Sequence, residues 1–205
     1  MKYIALDIGN VLFHCDFKPF LNTLSKSLNI TIEDAQYFLG RTQKLHDLGY
    51  TVMADELRDH FHIKSPIIIE EILKSWNESV EPNLFILNKL NDYSINDDLQ
   101  IALLSNIGLE HASQVDSYFE KFKYHYSFKK CIKHFSCFVG ARKPSSLFYQ
   151  SFLMEHPEYQ GCLYIDDIQE NLDTGKRFGF DAQMFSLITD SEKALIYKIE
   201  NLINP

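Results

Sequence analysis

The feature that most constrains this chain is a short apolar run, Tyr3-Ile-Ala-Leu6, that ends on Asp7 and passes at once into a Gly9-Asn10 turn. A brief strand that hands a polar side chain to a tight turn is what a parallel sheet presents at its carboxyl edge, where open α/β sheets bind ligands. The pattern recurs at residues 100–104, 162–165 and 182–185, each a short apolar run bounded by polar residues. Between these runs the apolar residues fall at helical spacing. Such alternation predicts the α/β class, a Rossmann-like parallel sheet covered by helices.

One segment breaks the alternation. From about residue 17 to residue 81 the apolar positions keep helical spacing throughout, as in Phe20, Leu21, Leu24 and Leu28, then Leu57 and Phe61, then Ile68, Ile69, Ile72 and Leu73. No strand-like run interrupts them. Thr31-Ile-Glu-Asp34 has the form of a capping box, with a hydroxyl placed to accept from the free amides of a new helix. The chain is therefore expected to fold as a core of residues 1–14 and 84–205 with an all-helical insertion over 15–83, Pro82 marking the return. At 205 residues and 45% hydrophobic content it has material for one core and one smaller lobe.

The net charge of -8 argues against a nucleic-acid partner, because no basic surface is available to neutralise a phosphate backbone. A phosphate ligand would need its own local positive field. No leader-like start and no apolar run near the roughly 20 residues of a membrane span are present, so a cytoplasmic protein without a membrane partner is expected. The oligomeric state is not encoded in any feature of the sequence. Cys15, Cys131, Cys137 and Cys162 form no CxxC pair. Cys131 and Cys137 flank His134, but their spacing is wide for zinc and no second ligand cluster follows, so ordinary thiols are expected.

Three further motifs follow Asp7 in order: Leu103-Leu-Ser-Asn106, Gly140-Ala-Arg-Lys-Pro144, and Leu163-Tyr-Ile-Asp-Asp167 with Glu170-Asn171 behind it. Asp166 and Asp167 end a predicted strand and should reach the same sheet edge as Asp7. Three carboxylates crowded there would repel one another unless a cation sat among them, and a hard divalent ion with oxygen ligands answers that need. Four such pieces in this order resemble the haloacid dehalogenase (HAD) superfamily of aspartate-nucleophile phosphohydrolases, over essentially the whole chain. The resemblance implies that Asp7 is the nucleophile and forms an aspartyl phosphate, and that Ser105, Asn106 and Lys143 hold the phosphate while Lys143 offsets charge. It implies magnesium (Mg2+) bound by Asp7, by an Asp of the Asp166-Asp167 pair and by the main-chain carbonyl of Gly9. It also implies that the helical insertion is a cap that closes over the site, and that Asn171 ties the Asp-Asp loop to the next helix. Arg142 is expected to brace its own loop.

The sequence departs from the family at Gly9, where most superfamily phosphatases carry a second Asp that serves as general acid. The Asp-x-Gly-Asn-Val-Leu form is similar to the α-D-glucose-1-phosphate phosphatase-like branch, which shares the Gly-Asn and has an acidic residue matching Asp16. Asp16 and His14 are therefore candidates to carry the proton, against structural roles for both. In the insertion, Lys44-Leu-His-Asp-Leu-Gly49 resembles the family's acidic-x-Gly helix break; His46 and Asp47 there either face substrate or, as the simpler reading, sit at a solvated helix end. The function implied is a magnesium-dependent phosphomonoesterase for a small phosphorylated metabolite, a sugar phosphate or a nucleotide. The alternatives are a silent relative that binds a phosphorylated ligand or a protein partner, and a metal-independent dehalogenase.

Overall fold

The computed structural model describes residues 2–95, 99–122, 128 and 131–204. The chain begins with β1 (Lys2–Leu6), and after the Asp7 turn forms the short β2 (Phe13–Cys15). Four helices follow: α1 (Lys18–Leu28), α2 (Ile32–Asp47), α3 (Met53–Phe61) and α4 (Pro66–Asn77). The returning chain, β3 (Val80–Pro82), pairs antiparallel with β2, Phe13 opposite Pro82 and Cys15 opposite Val80. From there helix and strand alternate: α5 (Leu84–Ile95), β4 (Leu99–Ser105), α6 (Leu109–Lys121), β5 (Ile132–Phe135), the single turn α7 (Ser136–Val139), α8 (Ser146–Glu155), β6 (Leu163–Asp166), α9 (Gln169–Arg177), β7 (Asp181–Met184) and α10 (Glu192–Ile203). No helix among the described residues is long and apolar enough to cross a membrane.

The main sheet has the order β5-β4-β1-β6-β7, and every neighbouring pair is parallel. Its two faces separate by the period-2 geometry of a strand. Ile4 and Leu6 of β1, Ile101 and Leu103 of β4, and Leu163 and Ile165 of β6 join one apolar cluster with α5, α6 and α10. Ala5, Ala102, Leu104 and Tyr164 point the other way and pack with Phe148, Tyr149 and Phe152 of α8 and Leu172 of α9. On that side α9 lies so close to β6 that a Cβ on Gly175 would fall 2.8 Å from the Tyr164 ring. Four of the five strands coincide with the apolar runs of the sequence. The fifth, β5, was not anticipated, because Lys133 and His134 interrupt its apolar character at the sheet edge.

The helices α1–α4 bury a third cluster of their own, Phe20, Leu24, Ala35, Phe38, Met53, Leu57, Ile72 and Trp76, which shares no buried member with the two sheet-face clusters. Each of the large side chains among them contributes about 1.5–3 kcal/mol by its burial, so the lobe has an apolar core of its own. The capping box is present at the start of α2: Thr31 Oγ1 accepts from the Asp34 amide at 3.1 Å, and Asp34 Oδ2 accepts from the Thr31 amide at 3.4 Å.

Candidate active site

β1 is the central strand, flanked by β4 on one side and β6 on the other, so the crossovers leaving it diverge and open a crevice at its carboxyl end. Asp7 follows β1, Ser105 ends β4 and Asp166 ends β6. Lys143, from the loop before α8, enters between them with 2% of its surface exposed. Its Nζ lies 2.9 Å from Asp7 Oδ1 and 2.6 Å from Asp166 Oδ2, and donates to the Leu104 carbonyl at 2.7 Å. The loop is fixed by Asn106, whose side chain donates to the Lys143 carbonyl at 2.9 Å and accepts from the Lys143 amide at 2.7 Å. Both ends of that amide group are thus engaged in placing Lys143.

The adjacent acids differ sharply. Asp166 has no exposed surface, and its four acceptor positions are filled: Oδ1 by the Ile168 amide and Asn171 Nδ2, Oδ2 by Lys143 and the Tyr164 hydroxyl. Asp167 is only partly buried, and its Oδ2 accepts from Asn10 Nδ2 at 3.1 Å. Asn10 in turn accepts from the Cys15 amide and takes the left-handed conformation, φ 50°, which Asn tolerates better than most residues. Asn171 does tie the Asp-Asp loop to α9.

Burial pushes Asp7 up to about 7, against the pull of Lys143 and with Asp166 and Asp167 adding to the rise. Burial likewise raises Asp167, partly countered by its bond from Asn10. For Asp166 burial acts in the same direction, but Lys143 and the hydrogen bonds from Tyr164 and Asn171 outweigh it and hold the carboxyl below its ordinary range. Burial opposes the Lys143 charge, yet Asp166 and Asp7 keep it protonated above the usual lysine range. One ammonium thus faces three acids, and oxygen atoms of Asp7, Asp166 and Asp167 all lie within 4.8 Å of one another. Among the described residues no other group of three such side chains comes within reach of one ion. An all-oxygen donor set with excess negative charge fits Mg2+. Cys131, His134 and Cys137 make no such group: His134 Nε2 bonds to the Phe148 carbonyl and Cys131 Sγ to the Phe128 carbonyl.

Above this floor is a cavity with about 200 Å³ of space open to water, bordered below by Asp7, Gly9, Ser105, Asn106, Lys143 and Asp167. Its roof is made by the ends of α2 and α4. His46 and Asp47 are 2% and 5% exposed, so the solvated helix end expected from sequence is not what forms. His46 Nε2 meets Glu110 Oε2 of α6 at 2.6 Å, and the same carboxylate accepts from the Met53 amide at the start of α3. Gly108 permits this approach, since a Cβ there would fall 2.0 Å from the His46 ring. Asp47 Oδ2 lies 2.9 Å from an Arg142 guanidinium nitrogen, and the Asp47 carbonyl accepts from Ser136 Oγ. Arg142 therefore reaches out of its loop to the helical lobe. His111 stacks on Trp76, ring centres 4.5 Å apart, and its Nε2 donates to the Trp76 carbonyl; burial lowers its pKa to about 4.

Asp16 and His14 are not brought to the cavity. Both are exposed and neither borders it; the Asp16 carboxylate accepts from the Lys18 amide at the start of α1, and His14 lies on the β2–β3 ribbon beside Asn83. Gly9 does border it, and a Cβ added there would stand 3.5 Å from Cys15 Sγ. Sequence reasoning missed Asn10, Glu110 and His111. Asn10 alone carried a signal, since it sits in the turn directly after Asp7.

No family model and no curated protein matches the chain in sequence. Among solved structures it is similar to a HAD family enzyme from Bacteroides thetaiotaomicron, with 18% identity, TM-score 0.75, and 95% of this chain and 98% of that chain covered. A mutant of that enzyme in complex with magnesium and inorganic phosphate gives TM-score 0.77 at 17% identity over 95% and 98% of the two chains. A HAD-like family hydrolase from Porphyromonas gingivalis gives 0.74 at 18% identity, covering 98% of each chain. The chain has the HAD fold.

Proposed function

We propose that this chain is a phosphomonoesterase of small phosphorylated metabolites, in which Asp7 is the nucleophile and magnesium the cofactor. The observation that carries the reading is the buried Asp7 carboxylate, held by Lys143 and crowded by Asp167 at the floor of a small cavity. The residues that would hold magnesium are Asp7, Asp167 and the carbonyl of Gly9, and its charge there would offset the carboxylates and polarise a phosphate oxygen. Asp166, with all its acceptor positions taken, is better suited to fixing Lys143 than to ligating an ion.

Asp7 attacks phosphorus, an Asp7 carboxylate oxygen to phosphorus bond forming as the ester bond breaks. The leaving alkoxide takes a proton from a water molecule, as Gly9 offers none. The hydroxide so formed attacks the aspartyl phosphate and releases inorganic phosphate with the Asp7 carboxylate restored. Lys143 stays protonated throughout and cancels charge as the phosphoryl group shifts. The Ser105 hydroxyl, at the end of β4, holds a phosphate oxygen, while Asn106 acts through Lys143. The helical lobe, residues 15–83, closes the site and excludes water from the intermediate; its separate apolar cluster and the His46 and Asp47 contacts support that role.

Gly9 leaves the departing oxygen without a strong acid beside it, so aryl, acyl and anomeric phosphates should outrun primary alkyl phosphates steeply. The test is phosphate release from a panel of monoesters with magnesium, with a chelator and with Asp7→Asn. Turnover that needs both magnesium and Asp7 supports the reading; turnover that ignores them overturns it. Gly9→Asp should flatten the dependence on leaving group, since the added Cβ meets only Cys15 Sγ at ordinary contact distance. Gly9 also favours a second reading, a silent relative, for which phosphate and magnesium would bind with no turnover of any ester.

A further inference from the structure

The charged groups that border the cavity are already paired. Lys143 faces Asp7 and Asp166, and Arg142 meets Asp47 at 2.9 Å, so each cation of the wall is matched by acids. The two histidines there are engaged as well: His46 Nε2 meets Glu110, and His111 bonds to the Trp76 carbonyl and is kept neutral by its burial. Phe17, Trp76, Val80 and Ile107 make much of the remaining wall apolar, and the Trp76 Nε1 donor, although unpaired, is shielded from solvent. In the helical lobe one accessible polar side chain is left. Gln43 lies on α2 three and four residues before His46 and Asp47, so it shares their helix face, and like them it borders the cavity. Unlike them it is exposed, and its carboxamide has no hydrogen-bond partner among the described residues.

Resting on the phosphatase reading, we infer that Gln43 is a specificity-determining residue, which selects a phosphate ester with no second charge by bonding to a neutral polar group of its leaving part. A carboxamide carries both donors and an acceptor, so it can meet a hydroxyl in either orientation. A second anionic group is disfavoured because no cation of the wall is free to receive it, and drawing Arg142 away would leave Asp47 buried and unpaired. An ammonium group is no better placed, since the acid of the roof is the one held by Arg142. The leaving part is also small, because the cavity of about 200 Å³ is below the roughly 300 Å³ lower end of ordinary ligand pockets.

The experiment measures kcat/KM, with magnesium, for glycerol phosphate, propyl phosphate and phosphoglycerate, esters of equal carbon count that differ in hydroxyl and carboxylate groups. Glycerol phosphate should exceed propyl phosphate by about two- to tenfold, the range of a hydrogen bond between neutral groups, and phosphoglycerate should be the poorest of the three. Gln43→Ala should remove the advantage of glycerol phosphate over propyl phosphate, chiefly through KM. Gln43→Lys supplies the missing cation and should raise phosphoglycerate relative to glycerol phosphate by about tenfold or more, as a hydrogen bond between charged groups allows. A thermal melt of each variant separates these changes from unfolding. A wild type that prefers phosphoglycerate overturns the inference, as do variants that change all three esters alike or none of them. Calorimetric binding of the same esters to Asp7→Asn protein, with and without Gln43→Lys, gives the order without turnover. If the wild type releases no phosphate from any ester, 4-nitrophenyl phosphate included, the phosphatase reading falls while this binding order still decides the role of Gln43.

Discussion

The floor and the roof of the cavity both carry charged side chains at the carboxyl edge of the sheet, yet they are anchored differently. In the floor, Lys143 contacts two carboxylates and a carbonyl, Asp166 accepts four hydrogen bonds, and Asn106 clamps the Lys143 backbone from the loop directly after β4. Its anchors come from the sheet, from the loops at its carboxyl edge and, through Asn171, from α9. In the roof, α2 is held to the core by single contacts, His46 to Glu110, Asp47 to Arg142, and the Asp47 carbonyl to Ser136. A fully bonded network cannot yield in part, whereas a few separate contacts can be released and remade. The floor is thus tied from more directions than the roof.

The contrast can be broken most directly at Lys143. Lys143→Ala leaves Asp7 and Asp166 buried without their cation and should destabilise the protein by about 3–5 kcal/mol, read from urea denaturation. A loss below about 1 kcal/mol would mean that the floor relaxes and is not the fixed part. A smaller effect is expected at the junction of the two regions, where His111 is buried neutral against Trp76. Its folded pKa, about 4, is below the ordinary value, so the stability it provides is complete above about pH 6.5 and is lost as the pH falls toward 4. The loss should reach at most about 3 kcal/mol, and denaturation at pH 7 and pH 4.5 should show it in the wild type but not in His111→Gln.

Glu110→Ala removes the acceptor shared by His46 and the Met53 amide. It should cost about 1–2 kcal/mol, raise hydrogen exchange around residues 46–53 and leave exchange in β1 and β4 unchanged. Equal loosening of the sheet would erase the distinction between roof and floor. The smallest effect belongs to Asp55→Ala, which breaks an exposed pair with Arg58 on α3 and should shift the denaturation midpoint by the equivalent of under about 0.5 kcal/mol.

The two regions also differed in how far they could be read from sequence. The floor was legible because each of its acids follows an apolar run with the period of a strand, and the parallel sheet brings such run ends together. Asp7, Ser105 and Asp166 are where that logic puts them, whereas Lys143, which ends no strand, was expected there only from the family resemblance. Asn106 was recognised as a site residue, but its clamp on Lys143 was not visible, since the pairing spans 37 positions. The roof was largely illegible. Helical spacing identified the lobe, but the burial of His46 and Asp47 depends on Glu110 and Arg142, and no local pattern predicts a contact between residues 64 or more positions apart. The position of Asp16 was hidden for a similar reason: its place near Asp7 in sequence says nothing of which way β2 turns, and Asp16 lies exposed away from the cavity. The strand β5 and the β2–β3 ribbon were missed because the first is half polar and the second only three residues long on each side.

That ribbon has a consequence for how the molecule is assembled along the chain. Because Cys15 and Val80 are paired neighbours, the chain leaves the core and re-enters it at one point, and all that lies between them is, to the core, the loop of a hairpin. The entropy of closing a loop grows only with the logarithm of its length, so the roughly sixty residues between those strands weigh little more on the core than half as many would. Lobes of quite different length and surface are therefore exchangeable at this one junction with no change of register in β1, β4 or β6.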